Sequence, residues 1–313
     1  MTAPIITSNY PIRRLSDFFS QLFPYKVQKI SVDVGFTCPN RDGTKGYGGC
    51  SYCNNKTFVP GYCSPDEEVG QQLERGIQFF ARKYPQMRYL AYFQSYTNTY
   101  GDTDKLVELY RQALEYEGVV GLVISTRPDC VSSDLLAALS DLARDHFVMM
   151  EYGVESTLDR TLDLIHRGHT YGDARASILA TVEAGLYVGV HMILGLPGES
   201  RAEMLHHADL LSALPIHTLK LHQLQIVRGS LMERQYLASP TSFDLFTEEE
   251  YIDLCVAFAR RVNPAIVIER FTAQAPSDML LAPRWGTKNH LFAQRLLNAM
   301  MRNGYRQGDL YQP

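Results

Sequence analysis

The chain has 313 residues, 30 Lys and Arg against 34 Asp and Glu, a formal net charge of −4 and an apolar fraction of 45%. These values are ordinary for a globular protein and exclude disorder, collagen, coiled coil and a uniformly basic nucleic-acid coat. No apolar run approaches the roughly 20 residues that span a bilayer, and the first residues lack the basic and apolar regions of a signal peptide, so a cytoplasmic protein without a membrane partner is expected.

In chain order, β-branched and aromatic runs predict strands at 27–34, 89–96, 119–126, 147–154, 187–195, 218–227 and 265–271. Most are near-continuous in apolar residues, as parallel strands covered on both faces should be. Between them lie helical stretches. Ser64-Pro65-Asp66-Glu67 reads as a capping box opening a helix that runs to about Tyr84. Further helices are expected from Asp102 to Gly118 and at 133–145, 157–167, 171–184, 199–213, 247–262 and 288–303. Such alternation is α/β with right-handed crossovers, either an open doubly wound sheet or a full or partial barrel, and periodicity does not choose between them. In both, functional groups collect where strands end. Those places are rich here: Gln94-Ser95-Tyr96, Ser125-Thr126-Arg127-Pro128-Asp129, Glu155-Ser156 and Gln223-Leu224-Gln225.

Three of the six cysteines fall close together after the first strand, as Cys38, Cys50 and Cys53. The stretch from Gly35 to Cys53 holds five glycines, costly to order unless the backbone wraps something closely. Three thiolates on one loop suit an iron–sulfur cube with one iron left open to a reactant, or a zinc that staples the loop. Zinc needs a fourth ligand; His166 and His169 are distant in sequence but free to approach in space. Cys63, Cys130 and Cys255 stand singly and read as packing residues.

These motifs together resemble the radical S-adenosylmethionine (SAM) enzymes. The aromatic expected before the last cysteine is Tyr52, and the expanded spacing of eleven residues between Cys38 and Cys50 resembles the branch containing the Elongator catalytic subunit. Thr126 to Asp129, Glu151 to Ser156, Arg167-Gly168-His169 and Gly195-Leu196-Pro197-Gly198 follow in the expected order. The Cys38-Pro39-Asn40-Arg41-Asp42-Gly43 start and the chain length resemble the small YhcC/YtqA-type proteins of that branch. The resemblance implies a partial TIM-type (β/α)6 barrel over 27–230, with an N-terminal extension, 1–26, and a C-terminal extension, 231–313, closing the barrel.

It also implies cofactors and site residues. Cys38, Cys50 and Cys53 would ligate a 4Fe–4S cluster whose open iron is chelated by SAM. Tyr52 would lie beside the adenine, and Glu155 and Ser156 near the ribose, with Ser125 at a position where related enzymes carry Glu. Arg167 would pair with the SAM carboxylate, and Gln223 and Gln225 would meet the adenine edge. Gln94 and Ser95 stand where many relatives carry the Gly-Gly-Glu that binds the methionyl amino group. A one-electron reductant of flavodoxin or ferredoxin type would reduce the cluster, and reductive cleavage of SAM would give a 5′-deoxyadenosyl radical that abstracts hydrogen from a substrate.

For the substrate, the resemblance points to wobble uridine in tRNA. Arg284, Lys288, Arg295, Arg302 and Arg306 stand against Asp309 alone near the C-terminus, with Trp285 and His290 interleaved, a pattern suited to a phosphate-binding stripe with a stacking aromatic. A small metabolite as substrate, and a non-catalytic iron–sulfur sensor, are the alternatives. No acetyltransferase segment is read in these residues, so acetyl transfer is not expected.

Overall fold

A computed structural model describes residues 10–57, 59–81 and 86–313. Seven strands form one parallel sheet in chain order: β1 (Val27–Val32), β2 (Arg88–Phe93), β3 (Val119–Thr126), β4 (Phe147–Glu155), β5 (Tyr187–Leu194), β6 (Thr218–Gln223) and, beyond the two-residue β7 (Ile226–Val227), β8 (Val267–Arg270). Among the described residues no pairing joins β1 to β8, so the sheet curls into a partial barrel that stays open. This is the expected partial barrel, and the strand expected at 265–271 joins its sheet as the seventh member. β9 (Leu280–Ala282) pairs antiparallel with β7 beside the barrel.

Helices α2 (Val69–Ala81), α3 (Thr103–Leu114), α4 (Ser133–Leu142), α6 (Tyr171–Glu183), α7 (Arg201–Ser212) and α9 (Glu248–Arg261) supply the outer apolar layer. Side-chain caps at Asp102, Ser132, Thr170, Ser200 and Thr247 set five of their starts. The short α5 (Asp159–Leu164), α8 (Leu231–Ala238) and α10 (Asn289–Arg302) complete the chain after the first helix, α1 (Leu15–Leu22). None of the described helices is long and apolar enough to cross a membrane.

The Ser64–Glu67 segment is a turn, not the start of α2. Gln72, fully buried, donates from one amide nitrogen to the carbonyls of Asp33, Ser64 and Glu67 (2.8–3.0 Å) and accepts from the Asp33 amide at 2.9 Å. Those carbonyls therefore point at Gln72, and the helix begins after them, at Val69. The expected end of this helix near Tyr84 lies outside the described residues.

The interior is layered. At the bottom, Phe18 and Phe19 of α1 pack inside the barrel against Leu90, Val123, Phe147 and Val267, with Phe147 stacked on Tyr187. Burying each such ring contributes about 1.5–3 kcal/mol. Neither α1 nor α8 is expected from the sequence. Above the aromatic plug lies a layer of charged side chains, and above that a cavity.

Gly121, low on β3, shows how tightly the strands meet. A Cβ there would stand 2.2 Å from the Phe147 carbonyl oxygen of β4, which is backbone and cannot rotate away. Gly121→Ala is expected to lower stability by at least about 1–3 kcal/mol, the usual range for overpacking. Urea unfolding of the purified variant checks this.

Candidate active site

The segment between Cys38 and Cys50 folds outward as a small hairpin. Asp42 and Tyr47 form an antiparallel bridge, the Pro39 carbonyl accepts from Lys45 and Gly46, and the Asn40 carbonyl accepts from Gly49. The hairpin absorbs the long spacing and returns the chain to its starting point, so all three thiols line one cavity at the C-terminal ends of the strands. Lys45 on the hairpin bonds Asp129, which also holds Arg127 by two hydrogen bonds of 2.9 and 3.0 Å. Burial opposes charge on Asp129, but these two cations outweigh it and hold its pKa at about 2.

Cys50 Sγ accepts from Asn40 Nδ2 and from Arg167 NH1, each at 3.5 Å. Burial and the neighbouring Cys50 push the Cys53 thiol up to about 12, so ligation of iron must displace its proton. Among the described residues no group of three or more His, Cys, Asp or Glu side chains is arranged to hold a single metal ion. His169 has its two ring nitrogens against the carbonyls of Thr170 and Gly153, which accept from its N–H, and His166 is exposed; neither lines the cavity. Three thiols around a shared cavity, with neither His166 nor His169 beside them, fit a cluster with one open iron better than a zinc staple. Cys63, Cys130 and Cys255 do not line the cavity.

Arg167 enters from the loop after α5. Its NH2 donates to the Gly153 carbonyl at 2.6 Å and lies 3.6 Å from Glu155, while its buried Nε has no partner. Gly153 must lack a side chain here, since a Cβ would stand 2.6 Å from that nitrogen. Burial raises the Glu155 pKa, against the pull of Arg167. Glu155 (φ 68°) and Tyr96 (φ 58°) both hold left-handed backbone where β4 and β2 end, a conformation that costs of order 1–3 kcal/mol and recurs at functional sites.

Tyr52, Gln94, Ser125, Gln223 and Gln225 also line the cavity. Gln94 donates to Ser31 Oγ at 3.0 Å. Gln223 exchanges both amide bonds with the Ala273 backbone, and Gln225 donates to the same carbonyl, so this pair fastens the segment after β8 over the barrel. Ser95 is buried but outside the lining. Ser156 turns away, donating to Glu199 at 2.5 Å, in a network that His207 and Thr157 continue.

Sequence reasoning missed the floor. Glu151 of β4, fully buried, accepts from Lys29 at 2.7 Å, Lys220 at 2.5 Å and His191 at 3.1 Å; Glu269 accepts from Lys29 at 2.7 Å and lies 3.4 Å from Lys220. Tyr92 accepts from Lys220 at 3.0 Å, and Arg270 donates to His222 Nε2 at 2.6 Å. Tyr92, His191, His222 and Arg270 face the cavity. Burial, then Lys220, lowers the His191 pKa to about 4.

The basic C-terminal residues take separate places. Arg284 donates to the carbonyls of Leu280 and Leu281, and Arg295 pairs with Glu248 at 2.7 Å. Lys288 and Arg302 are exposed at the two ends of α10. Trp285 stacks on Phe292 at 5.7 Å and donates from its indole to the Phe246 carbonyl, so it belongs to the packing around α9 and not to a free stacking surface.

Residues 36–211 match the family model described as the radical SAM superfamily, and residues 216–302 match the radical SAM C-terminal domain. The chain is 35% identical over 261 residues to protein YhcC of Escherichia coli (strain K12), covering 83% of this chain and 82% of that one. It is 30% identical over 118 residues to a tRNA uridine(34) acetyltransferase of Dehalococcoides mccartyi (strain CBDB1), covering 37% of this chain and 25% of that one. The archaeal Methanocaldococcus infernus Elp3 with an N-terminal deletion superposes with a TM-score of 0.68 at 16% identity, covering 90% of this chain and 64% of that one, which shows the fold.

Proposed function

The chain belongs to the radical SAM superfamily, a family that uses a 4Fe–4S cluster and SAM, and from that membership we propose that it is an enzyme modifying the side chain of the wobble uridine in tRNA. The observation that carries the enzymatic part is the convergence of Cys38, Cys50 and Cys53 with Arg167 on one cavity at the strand ends. In this reading the three thiolates hold the cluster, and Arg167, with its unpartnered Nε, receives the SAM carboxylate through a planar fork. Tyr52 offers a ring to the adenine, Glu155 and Ser125 face the ribose, and Gln225 reaches the adenine edge. Gln94, which donates to Ser31, would meet the methionyl end. When bound, the cluster and SAM supply a one-electron cleavage that lets a carbon radical take hydrogen from the substrate. The protein's own task is to orient the partners and keep water out. A small flavodoxin or ferredoxin in the cytoplasm suits the electron supply that such enzymes need.

The tRNA part is supported by the partial likeness to the tRNA uridine(34) acetyltransferase and by exposed Lys288 and Arg302 on α10. Anaerobic reconstitution is expected to give about four irons per chain, and dithionite with SAM to release 5′-deoxyadenosine. Nucleosides from the tRNA of a deletion strain are expected to lack one modified uridine and to accumulate its precursor. An unchanged profile would redirect the search to a small metabolite.

A further inference from the structure

The charges on the barrel floor do not balance. Two carboxylates, Glu151 and Glu269, face three cations, Lys29, Lys220 and Arg270. The two lysines are shared between the two carboxylates. Arg270 is the remainder: among the described residues no carboxylate lies within ion-pair distance of it; Glu155, which also feels its charge, pairs with Arg167 at 3.6 Å; its buried Nε has no partner; and its one hydrogen bond goes to His222. That imidazole is no counter-charge. Burial and the adjacent Arg270 lower its pKa well below the usual value, so it stays neutral and accepts, and His191, stacked 5.7 Å away, is neutral as well. A register shift between Leu219 and Lys220 of β6 lets consecutive residues of β8 serve different partners, Glu269 the lysines and Arg270 the cavity. A half-buried guanidinium with no carboxylate at ion-pair distance is costly unless a ligand completes it. SAM has a guanidinium on the cysteine side, in Arg167 beside Cys50.

We propose that Arg270, steadied by His222, binds an oxyanion of the substrate, a carboxylate or a phosphate monoester, on the floor of the cavity. This rests on the reading of the cavity as a SAM-dependent active site. His222 takes one hydrogen of Arg270 NH2 and fixes the guanidinium plane, leaving the second hydrogen of the same nitrogen and an adjacent N–H as a fork for two oxygens. The substrate is thus anchored by its charged end, with its reacting carbon above the floor towards the cysteines.

The test is calorimetric titration of inorganic phosphate and of acetate, separately, into SAM-loaded holoenzyme. At least one anion is expected to bind, and the tighter of the two tells phosphate from carboxylate. Arg270→Met is expected to weaken binding about tenfold or more. Arg270→Lys, which keeps the charge and so protects folding, is expected to weaken it severalfold through loss of the fork. Arg144→Gln, an exposed change far from the floor, is expected to bind as the wild type does. The proposal is overturned if neither anion binds, if both Arg270 variants bind as tightly as the wild type, or if Arg144→Gln weakens binding equally. Absence of anion binding in a protein that carries its iron and releases 5′-deoxyadenosine removes the anion site alone; absence of iron and of 5′-deoxyadenosine removes the reading of the cavity.

Discussion

Cys50→Ala is expected to cost the protein its cluster. Cys50 is the thiol most tightly woven into its surroundings: Asn40 and Arg167 both donate to its sulfur, and the adjacent Ser51 amide is bonded to the Ile165 carbonyl at 2.9 Å. Removing a partner outside the ligand sphere of a metal typically costs about 10–100-fold in affinity, and removing the ligand itself costs more. After anaerobic reconstitution with limiting iron, the variant should hold little iron and lack the visible absorption of the wild type. Asn40→Ala should lie between the two. Cys63→Ala, which alters a thiol bonded to the Ser31 carbonyl away from the cavity, should keep its iron. A Cys50→Ala protein with a full complement would refute the ligand assignment.

The second large effect is thermodynamic. Glu151→Gln keeps the shape of the side chain and removes the charge that Lys29 and Lys220 share. Breaking a buried pair from one side typically costs about 3–5 kcal/mol, because the remaining charge is left unpaired. The urea midpoint should fall accordingly, because Glu269 is then left as one carboxylate facing both lysines. The acid limb should change too. Burial opposes charge on Glu151, but Lys220 and Lys29 outweigh it and hold its pKa well below the ordinary 4.5. A carboxyl depressed on folding stabilises above its unfolded pKa, and that stability is lost as pH falls below about 4.5 towards the folded value. Buried His191, with its pKa lowered to about 4 from 6.5, begins its own loss earlier, because the unfolded chain takes up a proton first. Stability should therefore decline from about pH 6.5 and steepen below 4.5, and Glu151→Gln should flatten only the lower part. An unaltered lower limb would show that the floor is not held by this carboxylate.

The strands were legible because their outward positions are apolar without interruption. Ile30, Leu122, Val148, Val188 and Leu219 face the helices, and their runs are what periodicity detects. The inward positions hid behind them. Lys29 and Glu151 are 122 residues apart and Lys29 and Glu269 240, so no local pattern links them. Singly, each reads as a polar interruption in a strand. The three cysteines were legible for the opposite reason, since they fall on one loop. The side chain of Gln72 decided the start of α2, and no capping rule contains a residue that reaches back to gather three carbonyls. Ser156 and Glu155 are neighbours in sequence, yet the bulge between Gly153 and Glu155 sends one hydroxyl towards α7 and leaves the other side chain in the cavity. α1 and α8 are short, and their helical form is fixed by what they pack against rather than by propensity.

The aromatic plug has a consequence for how the protein is made. Phe18 and Phe19 leave the ribosome early, but Val267 on the far wall of their pocket is almost the last barrel residue to follow. Arg13 bonds the Ala265 carbonyl across 252 residues, and its amide meets Gln307 across 294. Synthesis at about 5–20 residues per second leaves the first helix waiting tens of seconds for its socket. During that time the lower barrel is open and its rings face water. Contacts of such long sequence separation close late and slowly. Yield in the cell should therefore depend on chaperones that cover this helix until β8 has emerged, and on the rate of translation between the two.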